Sequence, residues 1–212
     1  MITLAPRDAY QRIALDYDAA PNPMLTLETR TVESLLPPLE GLLVADVAAG
    51  TGRWAARGRR DGARTIAIDF SPEMLAYAPR DRVLADILRL PLRDQSIDLV
   101  ICAFGYGYAP ACLPELERIT RPSGTVIVSD VHPEGLRRGW RRTFRSGGGV
   151  IEPASEPYEL EDLRVPGLTQ VCVLEATFGE PERAIFEQAG KAAAFAETTL
   201  HPAVFAAKWI KA

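Results

Sequence analysis

The stretch LLVADVAAGTGRW, from Leu42 to Trp54, decides the fold of this 212-residue chain. An apolar run ends at Asp46 and leads into Gly50-Thr51-Gly52, and a segment with helical spacing begins directly afterwards. A buried strand, a glycine turn and a helix N-terminus in this order are typical of nucleotide-binding α/β proteins, because glycines let a ligand approach unpaired backbone N–H groups. The stretch therefore predicts a ligand site at the end of the first strand of a sheet.

The composition limits what kind of protein this is. With 47% hydrophobic residues, the chain can bury the core of one α/β domain spanning residues 1–212. Its net charge of -4 gives no overall attraction to nucleic acid or to an anionic membrane, so we expect neither as a partner. The N-terminus lacks a basic and then apolar leader, and no apolar run is long enough to span a bilayer. We therefore expect a cytoplasmic protein.

The three cysteines are few, odd in number and widely spaced. Cys102, Cys112 and Cys172 form no C-x-x-C pair and have no clustered histidine partner. This spacing fits neither a disulfide framework nor a zinc site. We expect buried thiols and no metal.

The pattern along the chain predicts a doubly wound α/β fold. Helical spacing at 8–18 and 25–36 indicates a helical cap over residues 1–38. Apolar runs at 42–47, 65–69, 82–85, 97–102 and 125–129 read as strands, and helices are predicted at 53–60, 72–78 and 114–120. Continuous apolar strands joined by helical crossovers indicate a parallel sheet covered on both faces, with ligands at the carboxyl ends of the strands.

The remainder of the chain has two parts. Residues 131–168 are rich in Arg, Gly, Glu and Pro and poor in strand signals, so we expect an insertion that forms a lid over the active-site end of the sheet. The pattern then predicts a strand at 168–177, a helix at 181–189 and a strand at 203–210. These last elements would complete the sheet with an edge hairpin.

Two further strand ends carry an acid. Asp69 ends the second strand, where a carboxylate can accept hydrogen bonds from both hydroxyls of a ribose. Asp86 and Ile87 follow the third strand, and they suit the exocyclic amine and the flat ring of adenine. Three strand ends therefore point to one adenosine, which NAD and other adenosyl ligands share.

Asp46 separates the candidate ligands. A carboxylate aimed at the glycine turn repels a pyrophosphate and attracts an amino group or a sulfonium, which favours S-adenosylmethionine over NAD. Residues 50–55 also satisfy the G-x-G-x-x-A pattern of dinucleotide sites, so an NAD-dependent oxidoreductase is the alternative. A protein that binds S-adenosylmethionine without catalysing a reaction is a second alternative.

At this point the chain resembles a known family. Six segments match, in order, the class I S-adenosylmethionine-dependent methyltransferases of the type 11 kind: DVAAGTGR at 46–53, IDFSPEML at 68–75, AD at 85–86, LPL at 90–92, SIDLV at 96–100 and ERITRPSGT at 117–125. The resemblance covers roughly residues 40–130. It implies a Rossmann-like sheet of seven strands with an antiparallel last strand, and an enzyme that methylates a small-molecule acceptor and leaves S-adenosylhomocysteine.

The resemblance also implies the cofactor-binding residues. Those expected around the methionine part and the turn are Asp46, Ala48, Gly50, Thr51, Gly52 and Ala103. Asp69 would bind the ribose, Asp86 and Ile87 the adenine, and Phe70 and Met74 would pack on the purine. Arg30 is expected at the methionine carboxylate, with Arg53 as a rival. Many relatives have glycine at position 48, and we expect Ala48 to fit through a negative φ.

The acceptor end offers weaker signals. His132 follows the fifth strand and is a candidate base oriented by Asp130; the equal alternative is a turn residue before Pro133. Tyr106 and Tyr108, after the fourth strand, are expected to border the methyl group. In the cap, Tyr10 and Tyr17 are candidates to close over the cofactor, although aromatic residues at helical spacing are more often core.

A basic stripe suggests the charge of the acceptor. Arg137, Arg141 and Arg145 recur at four-residue intervals, so a helix here would present arginines, Arg141 among them, to an anionic acceptor. The alternative is a solvated face paired with acids farther along, among them Glu152, Glu159 and Asp162. Nucleic acid is further disfavoured as acceptor, because no Asn/Asp-Pro-Pro-Tyr sequence follows the fourth strand.

Overall fold

The structure is a computed structural model that describes residues 1–19 and 21–212. The strands of these residues are β1 (Ile2–Leu4), β2 (Leu43–Val47), β3 (Arg64–Asp69), β4 (Arg82–Leu84), β5 (Ile97–Ala103), β6 (Thr120–Val131), β7 (Phe144–Ser146), β8 (Gly149–Pro153), β9 (Leu168–Ala176) and β10 (Val204–Lys211). The α-helices are α1 (Pro6–Ile13), α2 (Pro23–Glu33), α3 (Arg53–Arg60), α4 (Pro72–Leu75), α5 (Leu113–Ile119), α6 (Pro133–Arg137), α7 (Glu180–Gln188) and α8 (Ala192–Thr198).

The central sheet has seven strands in the order β4-β3-β2-β5-β6-β10-β9. Strands β2 to β6 run parallel, whereas β10 is antiparallel to both of its neighbours. The chain moves outward from β2 in one direction and then returns to place β5 on its other side. Ligands bind at such a reversal in doubly wound sheets, at the carboxyl ends of the strands. The predicted fold class and the antiparallel last strand are confirmed.

Neighbouring residues of the central strands pack on opposite faces of the sheet. Val44 and Leu99 belong to one buried cluster, together with residues of α2 and α3, while Ala45 and Val100 belong to another that includes α5. Successive strand residues point to opposite faces, so a sheet covered on both sides needs apolar residues at every position. This explains the continuous apolar runs in the sequence.

A second, three-stranded sheet was not predicted. It has the order β1-β8-β7 and joins the N-terminus to the segment 131–168, in which the sequence indicated few strands. Ile2 pairs with Ile151 and Leu4 with Pro153, in parallel. The three-residue strands β1 and β7 are too short to show a period of two, and the partner of β1 lies far away in sequence. The predicted cap over residues 1–38 does contain the two helices α1 and α2, and β1 is an addition to it that the sequence did not indicate.

The C-terminal part also differs in detail from the prediction. Strands β9 and β10 pair antiparallel at the edge of the sheet with α7 between them, as predicted, but a further helix, α8, follows α7. Helix α8 was not predicted. Cys102 and Cys112 are free and buried, while Cys172 is partly exposed. No helix in the described part of the chain is long and apolar enough to cross a membrane.

Candidate functional site

A cavity lies at the carboxyl ends of β2, β3 and β5, where the sheet order reverses. It encloses about 650 Å³, part of it open to solvent. Its lining residues from the strand ends and the glycine turn are Asp46, Ala48, Ala49, Gly50, Thr51, Asp69, Phe70 and Ala103. Helices and loops above the sheet contribute Tyr10, Tyr17, Asp18, Leu25, Arg53, Trp54, Met74, Phe104 and Tyr108. Most of the residues expected around a cofactor are thus brought together.

The two glycines of the turn serve different purposes. Gly50 has a φ of 55° and lines the cavity, and a Cβ there would lie 3.2 Å from the Cε of Met74. Gly52 has a φ of 80° and precedes α3. A Cβ on Gly52 would come within 2.6 Å of Pro79 and 2.8 Å of Ala78, and Gly52 does not line the cavity. Gly50 therefore leaves room for a ligand, whereas Gly52 lets α3 pack.

Asp46 is a buried acid that faces the cavity. Its side chain is 2% exposed, and in the described residues it accepts one hydrogen bond, from the Ala55 N–H to Oδ2 at 2.7 Å. Burial raises the pKa of Asp46 to about 7, although the Ala55 N–H and the charge of Arg53 act in the opposite direction. The carboxyl group therefore keeps its proton to a higher pH than an exposed aspartate does. A cation bound beside the carboxyl group would stabilise its ionised form.

Asp69 holds the glycine turn through backbone hydrogen bonds. Its Oδ2 accepts from the Gly50 N–H at 2.8 Å and its Oδ1 from the Ser71 N–H at 2.9 Å. Burial raises the pKa of Asp69, and these N–H groups lower it in part. Each carboxylate oxygen retains a free lone pair, so the side chain can still accept hydrogen bonds from a ligand in the cavity.

Ala48 has a left-handed backbone, contrary to the expected negative φ. Its φ is 56°, a conformation that costs a residue with a Cβ about 1 to 2 kcal/mol. The backbone is fixed here because the next residue, Ala49, donates its N–H to the Ile68 carbonyl of β3. The Ala48 Cβ lies against Gly105 instead of meeting a bulkier neighbour.

The two arginines considered for the cofactor carboxylate lie in different places. Arg30 pairs with the buried Glu182 and donates to the Thr177 carbonyl, and it does not line the cavity. Arg53 does line the cavity, and the buried Glu28 holds its guanidinium, which also lies 4.8 Å from the Trp54 ring centroid. The geometry therefore favours the rival, Arg53.

Asp86 and Ile87 lie outside the cavity lining. Asp86 is exposed, and its Oδ1 accepts from the Leu88 N–H at 2.9 Å. The Ile87 Cδ1 lies 3.7 Å from where a Cβ on Gly105 would stand, and Gly105 does not line the cavity either. The structure brings neither residue into the cavity itself.

Tyrosine and phenylalanine rings close the cavity on one side. We call the lining residues Tyr10, Tyr17, Phe104 and Tyr108 the aromatic end. The Tyr10 and Tyr108 hydroxyls are 2.8 Å apart and share a hydrogen bond. The Tyr10 ring also packs on Tyr17, at 6.0 Å between centroids, and edge-on against Tyr108 at 5.7 Å. Helix α1 and the loop after β5 thus meet across the cavity.

A buried ion pair between Arg142 and Asp130 contacts two residues of the aromatic end. Arg142 bonds to Asp130 at 2.9 Å, donates to the Phe104 carbonyl at 2.6 Å and lies 4.3 Å from the Tyr108 ring centroid. Asp130 is fully buried and also accepts from the Gly107 N–H. Sequence reasoning assigned Asp130 to orient His132, but Arg142 is its partner. No local signal in the sequence marks this pair.

His132 is buried at the start of α6 and does not line the cavity. Its Nδ1 accepts from the Glu134 N–H at 3.0 Å, which makes it the N-cap of the helix, and its Nε2 lies 2.9 Å from Glu175. The N-cap bond requires an unprotonated Nδ1, so Nε2 carries the hydrogen and donates it to Glu175. Both ring nitrogens are engaged, which favours the turn-residue alternative.

The remaining acceptor candidates diverge. Tyr106 is 1% exposed and packs in the core against Tyr158 and Phe205, whereas Tyr108 reaches the cavity. Tyr106 is therefore misplaced by the sequence prediction, because the short turn between them rotates the two side chains apart.

The predicted basic helix is absent from the described residues. Helix α6 ends at Arg137, and β7 begins at Phe144. Arg137 pairs with Glu159 and Arg141 lies 3.5 Å from Glu152, and Arg141 does not line the cavity. These contacts agree with the alternative interpretation, in which the arginines lie on the protein surface and pair with acidic residues farther along the chain. The hypothesis that this stripe binds an anionic acceptor loses its basis.

Comparison with known proteins identifies relatives. The family described as "Methyltransferase domain" matches residues 45–128. The chain is 34% identical over 168 residues to the malonyl-[acyl-carrier protein] O-methyltransferase of Pectobacterium atrosepticum, covering 71% of this chain and 66% of that protein. It is 34% identical over 184 residues to the demethylmenaquinone methyltransferase of Mycolicibacterium paratuberculosis, covering 75% of this chain and 79% of that protein.

The share of a relative's length that this chain covers differs from one relative to another. The chain spans 66% of the length of the Pectobacterium protein, and 48% and 55% of the length of two other curated relatives of these two kinds. Among solved structures, an S-adenosylmethionine-dependent methyltransferase from Mesorhizobium loti superimposes with a TM-score of 0.69 at 18% identity, covering 90% of this chain and all of that one. At this identity the superposition supports the fold alone.

Proposed function

Because the chain belongs to the class I S-adenosylmethionine-dependent methyltransferases of the type 11 kind, we propose that it transfers the methyl group of S-adenosylmethionine to a small-molecule acceptor. The observation that carries the proposal is Asp46, a buried acid at the glycine turn that lines the cavity and accepts one hydrogen bond from the part of the chain that the structure describes. The methionine part of the cofactor brings an ammonium and a sulfonium. Both stabilise a carboxylate that burial otherwise destabilises.

The residues around the cavity fit the rest of the cofactor. Asp69 would accept hydrogen bonds from the ribose, and Phe70 and Met74 would pack on the purine. Gly50 leaves the space that a Cβ would fill, and Ala48, Thr51 and Ala103 complete the wall around the methionine part. A pyrophosphate in place of the methionine part would face Asp46 across the turn and be repelled.

We assign the methionine carboxylate to Arg53. Its guanidinium lines the cavity and is held by Glu28 and Thr29, whereas Arg30 is engaged with Glu182. A guanidinium donates through several N–H groups, so Arg53 can keep the bond to Glu28 and still bind a carboxylate.

The cofactor supplies the activated methyl group, and the protein mainly aligns the acceptor and excludes water. In-line alignment of reactants contributes about 7 to 11 kcal/mol in favourable cases. The aromatic end would hold the acceptor beside Ala103 and shield it from solvent. A base is needed only if the acceptor must lose a proton during transfer.

The first experiment measures which ligand the cavity binds. Isothermal titration calorimetry should show that S-adenosylhomocysteine binds and that NADH binds far more weakly. The reverse order would replace the proposal with an NAD-dependent oxidoreductase. Transfer of a radiolabelled methyl group to any compound in a broad screen of small molecules would distinguish an enzyme from a non-catalytic binding protein.

A second experiment tests the carboxylate assignment. Arg53→Met and Arg30→Met should be titrated with S-adenosylhomocysteine and with methylthioadenosine, which lacks the amino acid end. We expect Arg53→Met to weaken S-adenosylhomocysteine about tenfold and to leave methylthioadenosine unchanged. Arg30→Met, the matched control, should change neither affinity. An opposite pattern would return the role to Arg30.

A further inference from the structure

The Tyr10 and Tyr108 hydroxyls form a pair with one hydrogen to spare. Each phenol carries one O–H, and the 2.8 Å bond between the two oxygens uses only one of these hydrogens. Neither hydroxyl makes another hydrogen bond within residues 1–19 and 21–212. Both side chains line the cavity, so the second O–H is available to a ligand there.

The two phenols are donors and not bases. Burial raises the pKa of Tyr10 well above its ordinary value, and it also raises the pKa of Tyr108. Both side chains therefore keep their protons at neutral pH. The Arg142 guanidinium lies over the Tyr108 ring, where a cation draws electron density from the phenol and makes its O–H a better donor.

The aromatic end holds no group that could remove a proton from the acceptor. Its four residues include no carboxylate, imidazole or amine, and the neighbouring Asp18 accepts a hydrogen bond from the Thr51 hydroxyl at 3.2 Å. His132 lies outside the cavity with both ring nitrogens engaged. An acceptor that arrives already deprotonated therefore suits this end, because its methylation needs no base.

We propose that the Tyr10–Tyr108 hydroxyl pair is the binding site for an anionic oxygen of the acceptor, which is thus a carboxylate or an ionised phenol. This inference rests on the proposed function and narrows its acceptor. The spare O–H donates to the anion and holds it beside the methyl group. The acceptor oxygen forms the new C–O bond while the C–S bond breaks and its electron pair goes to sulfur. An anion and a sulfonium thereby become a neutral methyl ester or ether and a neutral thioether, and no proton moves.

Anion binding by the Tyr10–Tyr108 hydroxyl pair does not rely on a nearby arginine. Arg137 and Arg141 are paired with Glu159 and Glu152, and Arg142 is neutralised by Asp130. The selection for an anion arises from a hydrogen-bond donor that has no acceptor of its own among the described residues. A neutral amide or ether at the same place gains a weaker bond, because hydrogen bonds to charged groups are about twice as strong.

The test uses two matched pairs of probes on the complex with S-adenosylhomocysteine. Benzoate is compared with benzamide, and para-nitrophenolate with para-nitroanisole, so that the carboxylate and phenolate sources of the anion are distinguished. Affinities are measured by calorimetry for the wild type, the two single Tyr→Phe variants at positions 10 and 108, and the double variant. Tyr77→Phe, at an exposed tyrosine away from the cavity, is the control.

We expect the wild type to bind at least one anion about tenfold more tightly than its neutral partner. The double variant should lose this preference with the neutral probe unchanged, and the single variants then show which hydroxyl holds the spare hydrogen. Tyr77→Phe should retain the preference. Equal binding of anion and neutral probe, no saturable binding of either anion, or a double variant that keeps the preference would overturn the inference.

The two proposals fail in different ways. Titration with S-adenosylhomocysteine alone comes first, on the wild type and every variant. If the wild type does not bind it, the proposed function is wrong and this inference falls with it. If all proteins bind it equally but no anion preference appears, only the acceptor class is wrong. Thermal unfolding of the double variant shows whether a lost preference arises from a damaged fold.

Discussion

Ala48 and Gly105 lie face to face at the ends of β2 and β5, so closely that a Cβ on Gly105 would stand 2.6 Å from the Cβ of Ala48. The same position would be 2.9 Å from the sulfur of Cys102. Only one of the two facing residues can carry a side chain. The left-handed backbone of Ala48 is therefore tolerated because Gly105, which has no side chain, leaves space for the Ala48 methyl group.

We predict that Gly105→Ala destabilises the protein. The new methyl group would overlap Ala48 and Cys102, and overpacking of this kind costs about 1 to 3 kcal/mol in free energy of unfolding. Urea denaturation followed by circular dichroism measures it. Gly149→Ala is the control, because its Cβ would meet nothing closer than 3.7 Å. Equal stability of both variants would contradict the overlap.

We predict that Ala48→Gly stabilises the protein. A glycine adopts a φ of 56° without strain, so the substitution should raise the free energy of unfolding by about 1 kcal/mol. Ala49→Gly, at the next position with an ordinary φ, should instead lower it. In the double variant Ala48→Gly/Gly105→Ala, the part of the cost of Gly105→Ala that comes from the overlap with the Ala48 methyl group should disappear, while the contact with Cys102 remains. If the two effects simply add, the residues are not coupled.

The buried pair of Asp130 and Arg142 should be sensitive to the loss of one partner. Arg142→Met leaves the Asp130 carboxylate buried without a cation, which costs about 3 to 5 kcal/mol. Thermal unfolding should show a large decrease in melting temperature. Arg138→Met breaks the exposed pair with Glu134 and should cost less than about 1 kcal/mol. Similar losses in both variants would mean that the burial of Asp130 carries no penalty.

We predict that His132 has a structural role. His132→Asn replaces one N-cap by another, so α6 should form and the methylation rate of any acceptor found by screening should change less than about twofold. His132→Ala removes the cap and should lower the free energy of unfolding by about 1 kcal/mol. A rate that falls about a hundredfold or more in the Asn variant would identify His132 as a base after all.

Local signals in the sequence predicted the central part of the fold well. The bounds of α3 were predicted to the residue, because the glycine turn sets its start. Ser71, directly before the helix predicted at residue 72, caps α4, because its hydroxyl accepts from the Met74 N–H. Such features depend on neighbours in sequence, so they can be identified without knowing the fold.

The features that the sequence did not predict depend on distant partners. The pairing of β1 with β8, the bond between Tyr10 and Tyr108 and the contact of Arg142 with Asp130 each join segments that only the folded chain brings together. The protonation state of Asp46 also depends on the folded structure. Its position was predicted, but its raised pKa is set by burial beneath the turn.

The affinity for S-adenosylhomocysteine should therefore depend on pH through Asp46. An ammonium binds better to the ionised carboxylate, so affinity should rise as pH increases through about 7 and level off above that value, with release of a proton on binding at lower pH. The free protein should behave oppositely. The pKa of Asp46 in the folded protein, about 7, lies above its ordinary value of 3.8. Between these two pKa values the folded state binds more protons than the unfolded state, so the free energy of unfolding falls as pH rises through this range.

Asp46→Asn should remove the pH dependence of both the affinity and the free energy of unfolding, and the affinity for methylthioadenosine, which lacks the ammonium, should not rise with pH. Calorimetry across the range measures the affinity, and a pH-independent value for the wild type would show that Asp46 does not face the amino group.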